Sequence, residues 1–144
     1  MNSDGHRPDK PGNDLRTIQQ LVNSSEHPMQ ALERVVDYLK TTFAHYDWIG
    51  IYLVQGRSLV LGPWRGLPIE RDGAMHRGLA LHAAYSGNTE YEAEANELAV
   101  PIKKADGVSG VIALRLTGAK SPVPPPEDLA LLESVAALVA GLLS

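Results

Sequence analysis

The sequence predicts an α+β fold in which an antiparallel sheet is covered by helices. Three observations lead there. The apolar spacing alternates between a period near 3.6 and a period of two, so helices and strands are both present. The strand-like runs come in two adjacent pairs, each joined by a short turn. The resulting order is helix, helix, hairpin, short helix, hairpin, helix. That order suits an antiparallel sheet better than alternating βαβ units.

Each element has its own warrant. Residues 1–13 are rich in Pro, Gly, Asp and Asn and read as a disordered tail ahead of a single domain over 14–144. Asp14 is placed as the N-cap of a first helix carrying Leu15, Ile18, Leu21 and Val22. A second helix runs from about Pro28 to Phe43. Its stripe is Leu32, Val35, Val36, Leu39 and Phe43, with Pro28 in the first turn. "DWIGIYLV" then alternates, with Trp48, Gly50 and Tyr52 on one face and Ile49, Ile51 and Leu53 on the other. "QGRS" turns the chain into "SLVLGPW", closing the first hairpin. "RGLALHAAYSG" is a short helix ended by Gly87. "ELAVPIKK" and "SGVIALRLTG" form the second hairpin around an Asp-Gly turn. "AKSPVPPP" is a rigid loop. "EDLALLESVAALVAGLL" is a last helix, with acids in its first turn where the helix dipole favours them.

Composition removes several functions. The 144 residues contain no cysteine, which excludes disulfides, thiol nucleophiles, thiol redox chemistry and cysteine-ligated zinc. Net charge is -4 and the basic residues are scattered, so no nucleic-acid partner is expected. The longest apolar runs fall far short of the ~20 residues that span a bilayer, so no membrane partner is expected. The first residues lack an apolar signal-peptide core, and a cytoplasmic location is the expectation. No cofactor and no metal are expected. There is no Gly-rich phosphate loop and no Ser-His-Asp signature.

The element order together with "DWIGIYL", "LVLGPWRGLP", "RGLALHAA", "ELAVPI", "GVSGVIAL" and "EDLALLESVAALVAGL" resembles a GAF domain over about Leu15 to Leu143. The resemblance implies a GAF-like central antiparallel sheet of about five to six strands. Helices would pack on one face and a ligand pocket would lie on the other, under crossing loops. Within the family, "DWIGIYL" followed by "LVLGPWRG" is most similar to the branch that reduces free methionine-R-sulfoxide with three cysteines. The positions matching those cysteines are Ile69 or Glu70, Ala80, and a residue near Glu90, so all three thiols are absent. The resemblance matches Trp48 and Tyr52 to an aromatic wall and Glu97 to a cage glutamate. Two cage aspartates correspond to Ala113 and Arg115. The resemblance thus supports the fold and argues against that reaction.

The candidate site therefore comprises Trp48, Tyr52, Glu97 and Arg115, with Glu70 and His76 from the intervening loop. Gly50 leaves space between the two aromatics for a ligand or a close backbone. Trp64 reads as core or as pocket floor. Arg115 has two readings: a salt bridge to Glu97 that fills the old cage, which is preferred, or a receptor for an anionic ligand. His76 and His82 are six residues apart, about 600° of helical rotation, and do not share a metal-binding face. Gly78 places the helix start between them. The run "TEYEAEANE" reads as a solvated loop or helical turn, apart from Glu97.

The function expected is a non-catalytic GAF domain that binds a small molecule or serves signalling or interaction. A reductase-like enzyme is an alternative weakened by the missing thiols, because no other side chain here forms the sulfenic acid such chemistry uses. A closed-pocket dimerisation module is another. A homodimer through the terminal helices is the expected assembly, suggested by the apolar breadth of the last helix.

Overall fold

The computed structural model describes residues 11–66, 74–117 and 123–143, with side chains for 13–66, 78–117 and 123–143. Its helices are α1 (Pro11–Asn23), α2 (Pro28–Thr42), α3 (Ala74–Ser86) and α4 (Pro126–Val139), the last continued by a 3-10 turn over Ala140–Leu142. Its strands are β1 (Tyr46–Gln55), β2 (Ser58–Gly66), β3 (Glu90–Glu92), β4 (Glu97–Lys104) and β5 (Gly107–Leu116). They form one antiparallel sheet of five described strands in the order β2-β1-β5-β4-β3. Both hairpins lie where the period of two placed them. Gly56, with φ +64, makes the two-residue turn between β1 and β2, where a side chain would be strained.

Strand alternation divides the interior into two layers. Ile49 and Ile51 of β1, Ile112 and Leu114 of β5, and Leu98, Val100 and Ile102 of β4 point to one face. There they meet Ile18 of α1, the whole predicted stripe of α2, and Leu132, Val135 and Val139 of α4. The other face carries smaller side chains. Ala99, Val111 and Ala113 pack beneath Ala80 and Ala83 of α3, beside Trp48, Tyr52 and Leu59. Three helices therefore cover one face, as expected, and α3 lies over the other. Alanines at Ala80 and Ala83 let α3 lie close to the strands.

Four expectations change. Residues 11–13 belong to α1, while 1–10 lie outside the described residues. Asp14 is consequently inside the first turn rather than an N-cap. It is buried and accepts a 2.6 Å hydrogen bond from the Tyr38 hydroxyl of α2. Helix α3 begins at Ala74, ahead of His76, so Gly78 is an interior residue of the helix. Part of the acidic run, Glu90–Glu92, is an edge strand. Three residues are too few for alternation to show.

The helical layer is tied to the sheet by one buried acid. Asp128, in the first turn of α4, accepts a 2.8 Å hydrogen bond from the Tyr46 hydroxyl at the start of β1. Its other oxygen lies 2.9 Å from His45 Nε2. No helix among the described residues is long and apolar enough to cross a membrane.

Candidate functional site

Strand register sets three of the predicted residues in one row across the sheet. Trp48 of β1 pairs with Arg115 of β5, which pairs with Glu97 of β4, which pairs with Glu92 of β3. The adjacent row on the same face is Trp64, Gly50, Ala113, Ala99 and Glu90. Glu97 owes its position to the turn before β4. Asn96 adopts φ +56, a left-handed conformation that asparagine tolerates better than most residues. Its carbonyl accepts a 2.8 Å hydrogen bond from the Leu116 amide, holding the turn against β5.

Among the described residues, the two aromatics of the predicted wall are packed closely. Trp48 and Tyr52 are buried, and the space above Gly50 is occupied. A Cβ added at Gly50 would lie 2.5 Å from the ring of Trp48 and 3.0 Å from Trp64 Cβ. The expected ligand space over Gly50 is therefore filled by the indole of Trp48. That ring stacks on Trp64, with centroids 6.2 Å apart and planes 20° apart. Trp64 is 40% exposed, so it is a partly solvated lid on Trp48 rather than core or floor.

Arg115 and Glu97 are register neighbours. The guanidinium Nε of Arg115 lies 3.2 Å from Asp47 Oδ2, a partner that sequence reasoning missed. Asp47 directly precedes Trp48 at the same sheet end, and only the strand register could have revealed the contact. Glu97 is 3% exposed. Burial pushes its carboxyl above the ordinary range; the charge of Arg115 pulls it back, and Glu92 pushes it up again.

The open space lies beside this row. A cleft of about 570 Å³ runs between α3 and the β3–β4 segment. Gly78, Leu79 and His82 form its helical wall; Glu92, Glu94, Ala95 and Glu97 form the other. His82 Nδ1 stands 3.8 Å from Glu90 Oε1 at the same edge. The acids read as a solvated loop thus form one wall of a cleft. His82 belongs to it. Glu70 lies outside the described residues, as does the side chain of His76. Among the described residues no three His, Cys, Asp or Glu side chains are grouped to hold a metal ion. What the arrangement can do chemically is hold a small cation against carboxylates.

No family model matches the sequence, and no curated protein matches it. Solved structures do match. The substrate complex of fRMsr of Staphylococcus aureus is 20% identical, with a TM-score of 0.77 over 96% of this chain and 98% of that one. The GAF domain of an Acinetobacter phosphoenolpyruvate-protein phosphotransferase is 20% identical, with a TM-score of 0.74 over 91% and 90%. Free methionine-R-sulfoxide reductase from Neisseria meningitidis, in complex with its substrate, is 22% identical, with a TM-score of 0.72 over 95% and 92%. The fold is that of a GAF domain, as the resemblance implied.

Proposed function

We propose that this GAF-fold chain is a non-catalytic binding domain whose ligand is an amino-acid-sized molecule bearing a protonated amine. The observation that carries the reading is the cleft beside α3, with Glu92, Glu94 and Glu97 on one wall. Its volume of about 570 Å³ lies within the range of small-molecule sites. Two of the similar structures hold their substrates on this scaffold, and one is a reductase of free methionine-R-sulfoxide. The chemistry of that enzyme does not transfer, because sulfoxide reduction through a sulfenic acid needs a thiolate and this chain has none. Ala80, which the resemblance matches to one cysteine, is fully buried on the sheet-facing side of α3. A homodimer through the terminal helices would have to use the outer face of α4, where Ala130, Glu133, Ser134 and Ala137 are exposed.

Thermal-shift titration with amino acids and simple amines tests the reading. A ligand at about 100 times its Kd adds about 2.7 kcal/mol and raises the melting temperature by several degrees. That shift should disappear in Glu97→Gln. It should grow as pH rises through the titration of Glu97, because the amine pairs with the ionised carboxylate. A shift that persists in Glu97→Gln removes the assignment of the cleft. Turnover of free methionine sulfoxide in a thiol-dependent assay removes the non-catalytic reading.

A further inference from the structure

Helix α3 has a second flank. At 100° per residue, Ala80 and Ala83 face the sheet, while Leu79 and His82 turn to the acidic cleft. Leu81, Ala84 and Tyr85 turn the opposite way, toward the β1–β2 hairpin. A groove of about 430 Å³ lies there. Its walls are apolar: Val54 and Leu59 from the hairpin, Leu81 and Ala84 from α3, and Val108 from β5.

The polar groups of this groove are at its rim, and their character is uniform. Arg57 occupies the hairpin turn, is exposed, and has no ion-pair partner among the described residues. The hydroxyl of Ser58 is beside it, and that of Tyr85 rises from α3 with the residue 86% exposed. All three donate hydrogen bonds, one of them with a fixed positive charge. Among the described residues no carboxylate lines the groove. Planar guanidinium forks match carboxylates in two parallel hydrogen bonds.

We propose that this groove is a second binding site, for a small amphipathic carboxylate. The apolar body lies between the hairpin and α3, and the carboxylate meets Arg57, with Ser58 and Tyr85 as further donors. The site is distinct from the acidic cleft and takes a ligand of opposite charge.

Octanoate, used below its micellar range, is the probe, with octylamine and octanol as controls. The readout is methyl and amide chemical shift in the full chain. Saturable shifts are expected at Val54, Leu59, Leu81 and Val108, with octanoate about tenfold tighter than octylamine, the worth of one charge-assisted contact. Arg57→Gln should weaken octanoate about tenfold and leave octanol unchanged, since only the charged contact is removed. Arg57 is an exposed turn residue, and an unchanged melting temperature confirms that the variant is folded. Glu97→Gln should leave octanoate binding intact, so the two sites can fail separately. Equal affinity for octanoate and octylamine overturns the proposal. So do shifts that spread along the whole helical layer, shifts that accompany self-association in light scattering, or indifference to Arg57→Gln.

Discussion

Asp128 gives each of its oxygens to a different neighbour, Tyr46 at 2.8 Å and His45 at 2.9 Å. A buried carboxylate of this kind is stabilising only while its partners stay in place. Truncating it leaves the Tyr46 hydroxyl, inside the core, with nothing to donate to. Asp128→Ala should therefore cost about 2–3 kcal/mol in urea unfolding, the penalty of a stranded buried donor plus a lost charge-assisted bond. Tyr46→Phe should cost less, since the acid keeps His45. Glu97 shows the opposite balance. Its burial disfavours its charged form, which the charge of Arg115 only partly offsets. Alternation put Trp48 with Tyr52 and Arg115 with Ala113, the family resemblance grouped Trp48, Glu97 and Arg115, and the strand register sets those three in one row. The sequence did not locate Asp47 beside Arg115, because that contact joins residues 68 positions apart.

Helix α3 is the element on which both clefts depend. Its sheet-facing positions, Ala80 and Ala83, are completely buried against other small side chains. Ala80→Leu inserts three carbons where no space exists, so it should destabilise by about 1–3 kcal/mol. It should also lift the helix and weaken binding on both of its flanks, which titration of the variant would measure. An Ala80→Ser substitution of nearly equal volume should leave the helix in place and binding close to native. The start of α3 was misplaced, because Gly78 suggested a boundary and the actual start lies four residues earlier. Helix α2 was legible to within a residue, because its five-residue stripe was long, periodic and preceded by proline. Strand β3 was not legible, because three residues carry no period.

At the scale of the whole molecule, two tyrosines link the helical layer and titrate together with the fold. Burial and the neighbouring Asp14 carboxylate push Tyr38 from 10.0 up to about 12. Burial and Asp128 push Tyr46 up as well. The folded state therefore holds these protons more tightly than the unfolded chain does. The stability they contribute is complete below pH 10 and is lost as pH rises toward 12. Urea unfolding followed up to pH 12 should show this decline, and Tyr38→Phe should make it shallower. The architecture itself was legible, since two hairpins and their flanking helices admit few arrangements. The two clefts flanking α3 were not, because each is a gap between that helix and a different part of the sheet, and no local pattern encodes a gap. The indole pair has one more consequence. Trp48 and Trp64 are the only tryptophans in the chain, one wholly enclosed and the other 40% exposed. At 6.2 Å their strong electronic transitions couple, so the pair should give a two-signed circular-dichroism band in the far ultraviolet, where those transitions lie. Its amplitude depends on a separation and an angle set by the first hairpin, which gives the protein an unlabelled optical gauge of its own geometry.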